Sequence, residues 1–149
     1  MIESIAVIGA GNMGSGIAQK SATEGFSVQM VDREQQLVDK GHGIIENFLG
    51  EALERRIFTV DKAEEIKQRI TGVVGTENVS PDTGLVIEAV FEDFALKQDI
   101  FSTLNKNCGE NTILATNTSS LSVNDLAQQA GRKDKFVGMH WFYHPAKNR

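Results

Sequence analysis

The chain has 149 residues, 40% hydrophobic and 23% charged, which fits one ordinary folded domain and argues against disorder. Fifteen Lys and Arg against twenty Asp and Glu give a net charge of −5, which disfavours a nucleic-acid partner. The sum still allows an anionic small ligand held by a few aimed N–H groups.

No run of about 18 apolar residues occurs, so no transmembrane helix is expected and no membrane partner. Met1-Ile2-Glu3-Ser4 lacks the basic start of a secretory leader, so a cytoplasmic location is expected. The single cysteine, Cys108, forms no internal disulfide and argues against a cysteine-based metal site; no metal is expected.

In chain order, Ser4 to Ile8 is a short apolar run that stops at glycine and predicts a buried strand. Asn12 to Glu24 predicts a helix closed by Gly25. Ser27 to Val31 predicts a second strand, ending at Asp32. Glu34 to about Arg56 is long and amphipathic, with Leu37, Ile44, Ile45, Phe48 and Leu53 as its apolar stripe and His42 on its solvated side. Asp61 reads as the N-cap of a helix running to about Arg69, with Glu64 three residues on. Ile70 to Gly75 is a weaker strand, and Leu85 to Val90 a strong one. Asp93 to about Asn105 predicts a helix with Phe94, Leu96, Ile100, Phe101 and Leu104 mostly on one side. Cys108 after it reads as an inert, half-buried thiol. Thr112 to Thr116 is a strand, Ser122 opens a helix with capping-box spacing to Asp125, and Phe136 to His140 is the last strand. His144, beside Pro145, reads as loop. Strands alternating with helices imply parallel strands and right-handed crossovers, hence a doubly wound α/β sheet with helices on both faces.

Gly9-Ala10-Gly11-Asn12-Met13-Gly14 matches G-x-G-x-x-G, with a strand directly before it and a helix directly after. In that context each glycine has a task. Gly9 turns the chain off the strand, Gly11 clears space for a pyrophosphate, and Gly14 lets the helix sit close to the strand. The helix start, with Asn12 and Met13, offers free N–H groups and partial positive charge to phosphates. No Lys-Ser or Lys-Thr follows, which disfavours a triphosphate-binding loop. Asp32 ends the second strand about twenty residues on, where a carboxylate receives ribose hydroxyls and repels a 2′-phosphate. A Rossmann-type sheet binding NAD in preference to NADP is expected, with Arg33 as a cover for the adenine; the competing assignment makes Asp32 only a helix cap.

Ligands in such sheets bind at the carboxyl ends of the strands. Three polar clusters stand there: Glu88-Ala89-Val90-Phe91-Glu92-Asp93, Thr116-Asn117-Thr118-Ser119-Ser120 and His140-Trp141-Phe142. Together with the glycine motif, the blocks Glu88 to Glu92, Asn117 to Leu121 and Gly138 to Phe142 give the chain a resemblance, over essentially its whole length, to the 3-hydroxyacyl-CoA dehydrogenases. The resemblance implies reversible oxidation of an acyl-CoA 3-hydroxyl by NAD. It implies His140 as general base, an assignment that suits an imidazole titrating near neutral pH. It further implies Ser119 on the substrate oxygen, Asn117 against the nicotinamide and its ribose, and Glu92 and Lys97 on the nicotinamide-ribose side. Arg55 lies near a basic family position that meets the CoA phosphates. Glu88 reads as more structural than Glu92.

The chain departs from the family's His-Phe-Phe-Asn-Pro by reading His140-Trp141-Phe142-Tyr143-His144-Pro145, with no asparagine and one residue more. The resemblance also implies a glutamate beyond that proline that orients the histidine, then a helical C-terminal domain that closes the site and builds a homodimer. Residues 1–149 therefore read as the NAD-binding domain alone, feeble in catalysis by itself. Two further readings stay open: a stand-alone NAD(H)-binding or redox-sensing module, and a related hydroxy-acid dehydrogenase.

Overall fold

The computed structural model describes residues 1–147. The strands are β1 (Ser4–Ile8), β2 (Ser27–Asp32), β3 (Ile70–Val74), β4 (Leu85–Glu88), β5 (Ile113–Thr116) and β6 (Phe136–Gly138). The α-helices are α1 (Asn12–Thr23), α2 (Gln35–Glu54), α3 (Val60–Gln68), α4 (Phe94–Asn107) and α5 (Val123–Ala130). All strand pairs are parallel, in the order β3-β2-β1-β4-β5-β6. The order reverses beside β1, so the β1–β4 crevice is the topological switch point where a doubly wound sheet receives its ligand.

Alternation along β1 divides the core. Ile5 and Val7 face a layer with Ile17, Ala18, Ile45, Leu49 and Ile66 of α1, α2 and α3. Ala6 and Ile8 face the other way, onto Phe101 and Leu104 of α4 and Ala130 of α5. Burial on both faces explains why these strands read as unbroken apolar runs. Each fully buried Leu, Ile or Phe contributes about 1.5–3 kcal/mol.

Helix starts follow the sequence in part. Asp93 caps α4 by accepting from the Leu96 amide at 2.9 Å, and Ser122 caps α5 through the Asp125 amide at 3.2 Å. The cap of α3 is Thr59, which accepts from the Lys62 amide at 3.2 Å, and not Asp61, which lies inside the first turn. The long helix stops at Glu54, because Arg55 leaves helical geometry and Arg56 turns to φ +56°. The last strand is shorter than its apolar pattern: ladder pairing ends at Gly138, and Met139 adds one bond to the Thr116 carbonyl at 2.8 Å.

One buried cation braces the far end of the sheet. The Arg132 guanidinium donates to Asn105 Oδ1 and to the carbonyls of Asn105, Cys108, Gly109 and Thr112, satisfying the C-terminus of α4 and the loop into β5. Cys108 is buried, and burial pushes its thiol pKa up against the opposing charge of Arg132. It is an inert thiol, more enclosed than expected.

Candidate active site

The glycine turn carries steric signatures of a close approach. Gly9 has φ +103°, and a Cβ there would stand 2.8 Å from the Ala89 carbonyl oxygen. A Cβ on Gly14 would fall 1.7 Å from the Gly9 carbonyl oxygen, so no other residue fits beneath α1. Gly11 is the opposite case, with no atom within 4 Å of its would-be Cβ. Gly11 is the N-cap of α1 and has no side chain to cap it. The amides of Asn12, Met13 and Gly14 consequently have no acceptor among the described residues. The carboxylate of Asp32 stands next to them. Its Oδ2 accepts from the Ala10 amide at 2.8 Å and its Oδ1 from the Arg33 amide at 2.7 Å. Asp32 caps no helix, since the N-cap of α2 is Glu34. Arg33 is exposed and pairs with Glu34 at 3.3 Å.

At the ends of β4 and β5 lies an ionic cluster that is buried at Lys97 and Glu88 and reaches the surface at Glu92. Lys97 of α4 is 1% exposed and Glu88 is 0% exposed. The Lys97 ammonium sits 3.0 Å from Glu88 Oε1 and 3.5 Å from Glu92 Oε1. Glu88 also accepts from the Thr116 hydroxyl at 2.6 Å and the Val90 amide at 2.7 Å. Glu92 accepts from the Thr118 hydroxyl at 2.7 Å and the Ser119 amide at 3.3 Å. Partial burial pushes the Glu92 carboxyl up, but the Thr118 bond, the Lys97 charge and the Ser119 amide outweigh it and hold it below its ordinary range. The Lys97 ammonium is enclosed between these two carboxylates, one of which, Glu92, reaches the surface.

At the ends of β5 and β6 the remaining residues converge. Asn117 is half-buried, its amide donating to the Glu88 carbonyl at 2.8 Å and its Oδ1 accepting from the Trp141 amide at 2.7 Å. Ser119 is exposed on the turn after β5. His140 is exposed, 4.9 Å from the Phe142 ring, and its imidazole makes no hydrogen bond among the described residues. Phe91, Phe142 and Tyr143 are exposed aromatic side chains on the loops after β4 and β6. Arg55 is exposed just past α2, and no hydrogen bond or ion pair joins its side chain to these residues.

Residues 4–148 match the family described as "3-hydroxyacyl-CoA dehydrogenase, NAD binding domain". The chain belongs to this family. It is 39% identical over 138 residues to a 3-hydroxybutyryl-CoA dehydrogenase of Clostridioides difficile, covering 93% of this chain and 49% of that protein. It is 34% identical to the mitochondrial hydroxyacyl-coenzyme A dehydrogenase of Homo sapiens, covering 95% of this chain and 47% of that protein. The solved (S)-3-hydroxybutyryl-CoA dehydrogenase of Ralstonia eutropha superposes with a TM-score of 0.92 at 36% identity, over 98% of this chain and 51% of that one. The chain spans about half the length of these relatives.

The residues present fit the family's cofactor. Free first-turn amides, the open space above Gly11 and an adjacent carboxylate suit a pyrophosphate and a ribose lacking a 2′-phosphate. Sequence reasoning missed two features of the site. Thr116 and Thr118 serve as hydroxyl donors to acids, the buried Glu88 and the exposed Glu92, a role signalled only by their place at and just after the end of β5. His144 lies in loop as expected, but it is 4% exposed, with its ring 3.9 Å from Phe48 and against Gly16 of α1. Among the described residues the chain shows no helix long and apolar enough to cross a membrane and no His/Cys/Asp/Glu cluster fit for a metal.

Proposed function

We propose that this chain is the NAD-binding half of a 3-hydroxyacyl-CoA dehydrogenase and carries the general base of the reaction. The observation that supports it most is a convergence. The cradle above Gly11 opens at the end of β1, and Asn117, Ser119 and His140 stand at the ends of β5 and β6. The first-turn amides of α1 hold the pyrophosphate, Asp32 takes the adenosine ribose hydroxyls, and Arg33 covers the adenine. Bound there, NAD would supply the hydride acceptor for oxidation of the 3-hydroxyl. His140 takes the hydroxyl proton, a task within reach of an imidazole whose ordinary pKa lies near neutral. Ser119 donates to the same substrate oxygen, and Asn117 borders both ligands. Glu92 flanks the nicotinamide ribose, and Arg55 meets the CoA phosphates.

By the same resemblance, a downstream glutamate orients His140, and a helical domain closes the site and builds a homodimer. The imidazole of His140, without a hydrogen-bond partner among the described residues, favours a second reading for these residues acting by themselves: a module that binds NAD(H) without turning over substrate. The test joins this chain to the C-terminal half of a full-length relative and follows acetoacetyl-CoA-dependent NADH oxidation. Activity is expected in the fusion and a fall of about 10²–10⁴-fold in its His140→Gln variant. Full activity in that variant would remove His140 as the base. Enzyme-like turnover by the unfused chain would contradict the dependence on a downstream partner.

A further inference from the structure

We propose that Lys97 is a positioning residue whose ammonium, by joining Glu88 to Glu92, fixes the turn from Asn117 to Leu121 against β4. The consequence for function rests on the reading above, in which Asn117 and Ser119 face the reacting groups.

The connections run without a gap from the sheet to that turn. Glu88 is anchored in β4 by the Thr116 hydroxyl and the Val90 amide. Lys97 bridges Glu88 to Glu92. Glu92 grips the turn through the Thr118 hydroxyl and the Ser119 amide. Thr118 Oγ1 then accepts from the Leu121 amide at 3.0 Å, closing the turn on itself. Asn117, first in the turn, passes the position on to the segment that bears His140, through its bond to the Trp141 amide.

Charge shows why a lysine stands here and not an apolar residue of equal volume. Two carboxylates share one ammonium that is itself shut off from water, and removing the cation leaves them facing each other uncompensated. The two are not equally free to respond. Glu88 is fully buried, whereas the Glu92 side chain is 40% exposed and has solvent to turn into. Without Lys97, therefore, Glu92 swings outward and takes with it the acceptors of Thr118 and Ser119. A lysine acting only as packing material would have no such effect on this one turn.

Amide hydrogen exchange on the ligand-free chain, read residue by residue by NMR, tests this. In Lys97→Met the Ser119, Leu121 and Trp141 amides are expected to exchange at least about tenfold faster, while Val7 and Met30 of the central strands change little. Adding Glu92→Gln to Lys97→Met removes the repulsion and keeps one oxygen as acceptor for Thr118, so protection of the Leu121 and Trp141 amides is expected to return, while Ser119, which loses the second oxygen, need not recover. Unchanged exchange at the three amides, equal acceleration everywhere, or no recovery of Leu121 and Trp141 in the double variant would each overturn the proposal. If Lys97→Met does not fold, Glu92→Ala serves instead: release of Ser119 and Leu121 supports the proposal and retained protection refutes it. NADH binding is measured separately on the unsubstituted chain, so a failure of the cofactor reading is not confused with a failure of this one.

Discussion

Gly11 and Gly14 sit three positions apart in one motif, yet the structure gives them opposite sensitivities. A Cβ at Gly14 meets backbone at 1.7 Å, and backbone has no rotamer by which to yield. Gly14→Ala is therefore expected to cost about 3 kcal/mol or more, seen as a fall in Tm of roughly 10 °C or more. Gly11 has φ −75° and open space at its Cβ, so Gly11→Val is expected to keep Tm within about 2 °C. It should nonetheless abolish NADH binding, because the new side chain fills the pyrophosphate's place. Thermal melts and a NADH titration check both, and retained binding in Gly11→Val would dismiss the glycine turn as the cradle. Much at this scale was legible beforehand, because the fingerprint and Asp32 act through local backbone geometry. The Glu88–Lys97–Glu92 cluster was not. Its members are close in sequence, but their pairing depends on how far α4 folds back over the end of β4, and spacing does not encode that.

At the scale of elements, strand and helix types followed from periodicity, while their ends depended on contacts that periodicity cannot see. Thr59 takes the cap in place of Asp61 because the chain enters α3 two residues earlier than the acidic pair Asp61 and Glu64 suggested. The segment after β6 shows the same limit. His144 seats between α1 and α2, against Gly16 and Phe48, a site formed only when both helices are in place. Neither ring nitrogen has a partner among the described residues. Burial chiefly, and the nearby Lys147 charge, hold the imidazole below its ordinary pKa of 6.5, against a smaller opposing pull from Glu51. The folded state thus resists a proton that the unfolded chain accepts. Stability is complete above the unfolded pKa and is lost as pH falls below about 6.5 toward the folded value. Melting curves between pH 7.5 and 5.5 are expected to show a steeper loss of Tm in the unsubstituted chain than in His144→Asn. Parallel slopes would mean that His144 does not titrate as an enclosed group.

Across the whole molecule, the alternation of strands and helices specified the class of fold, and the crossover after β3 specified where the ligand goes. That crossover returns the chain to the far side of β1, bringing β4, β5 and β6 into one row whose ends carry Glu92, Asn117, Ser119 and His140. The row was readable because each polar block ends an apolar run. The brace at the far end of the sheet was not, because Arg132 finds its five acceptors only after α4 and β5 have met. The architecture commits the molecule to a dinucleotide without a 2′-phosphate, since a carboxylate at the end of β2 stands beside the free amides of α1. Calorimetric titration of this chain with NADH and with NADPH tests that commitment most directly. NADH is expected to bind at least about tenfold more tightly, a difference of about 1.4 kcal/mol. Binding of neither, or NADPH binding as tightly as NADH, would contradict the account.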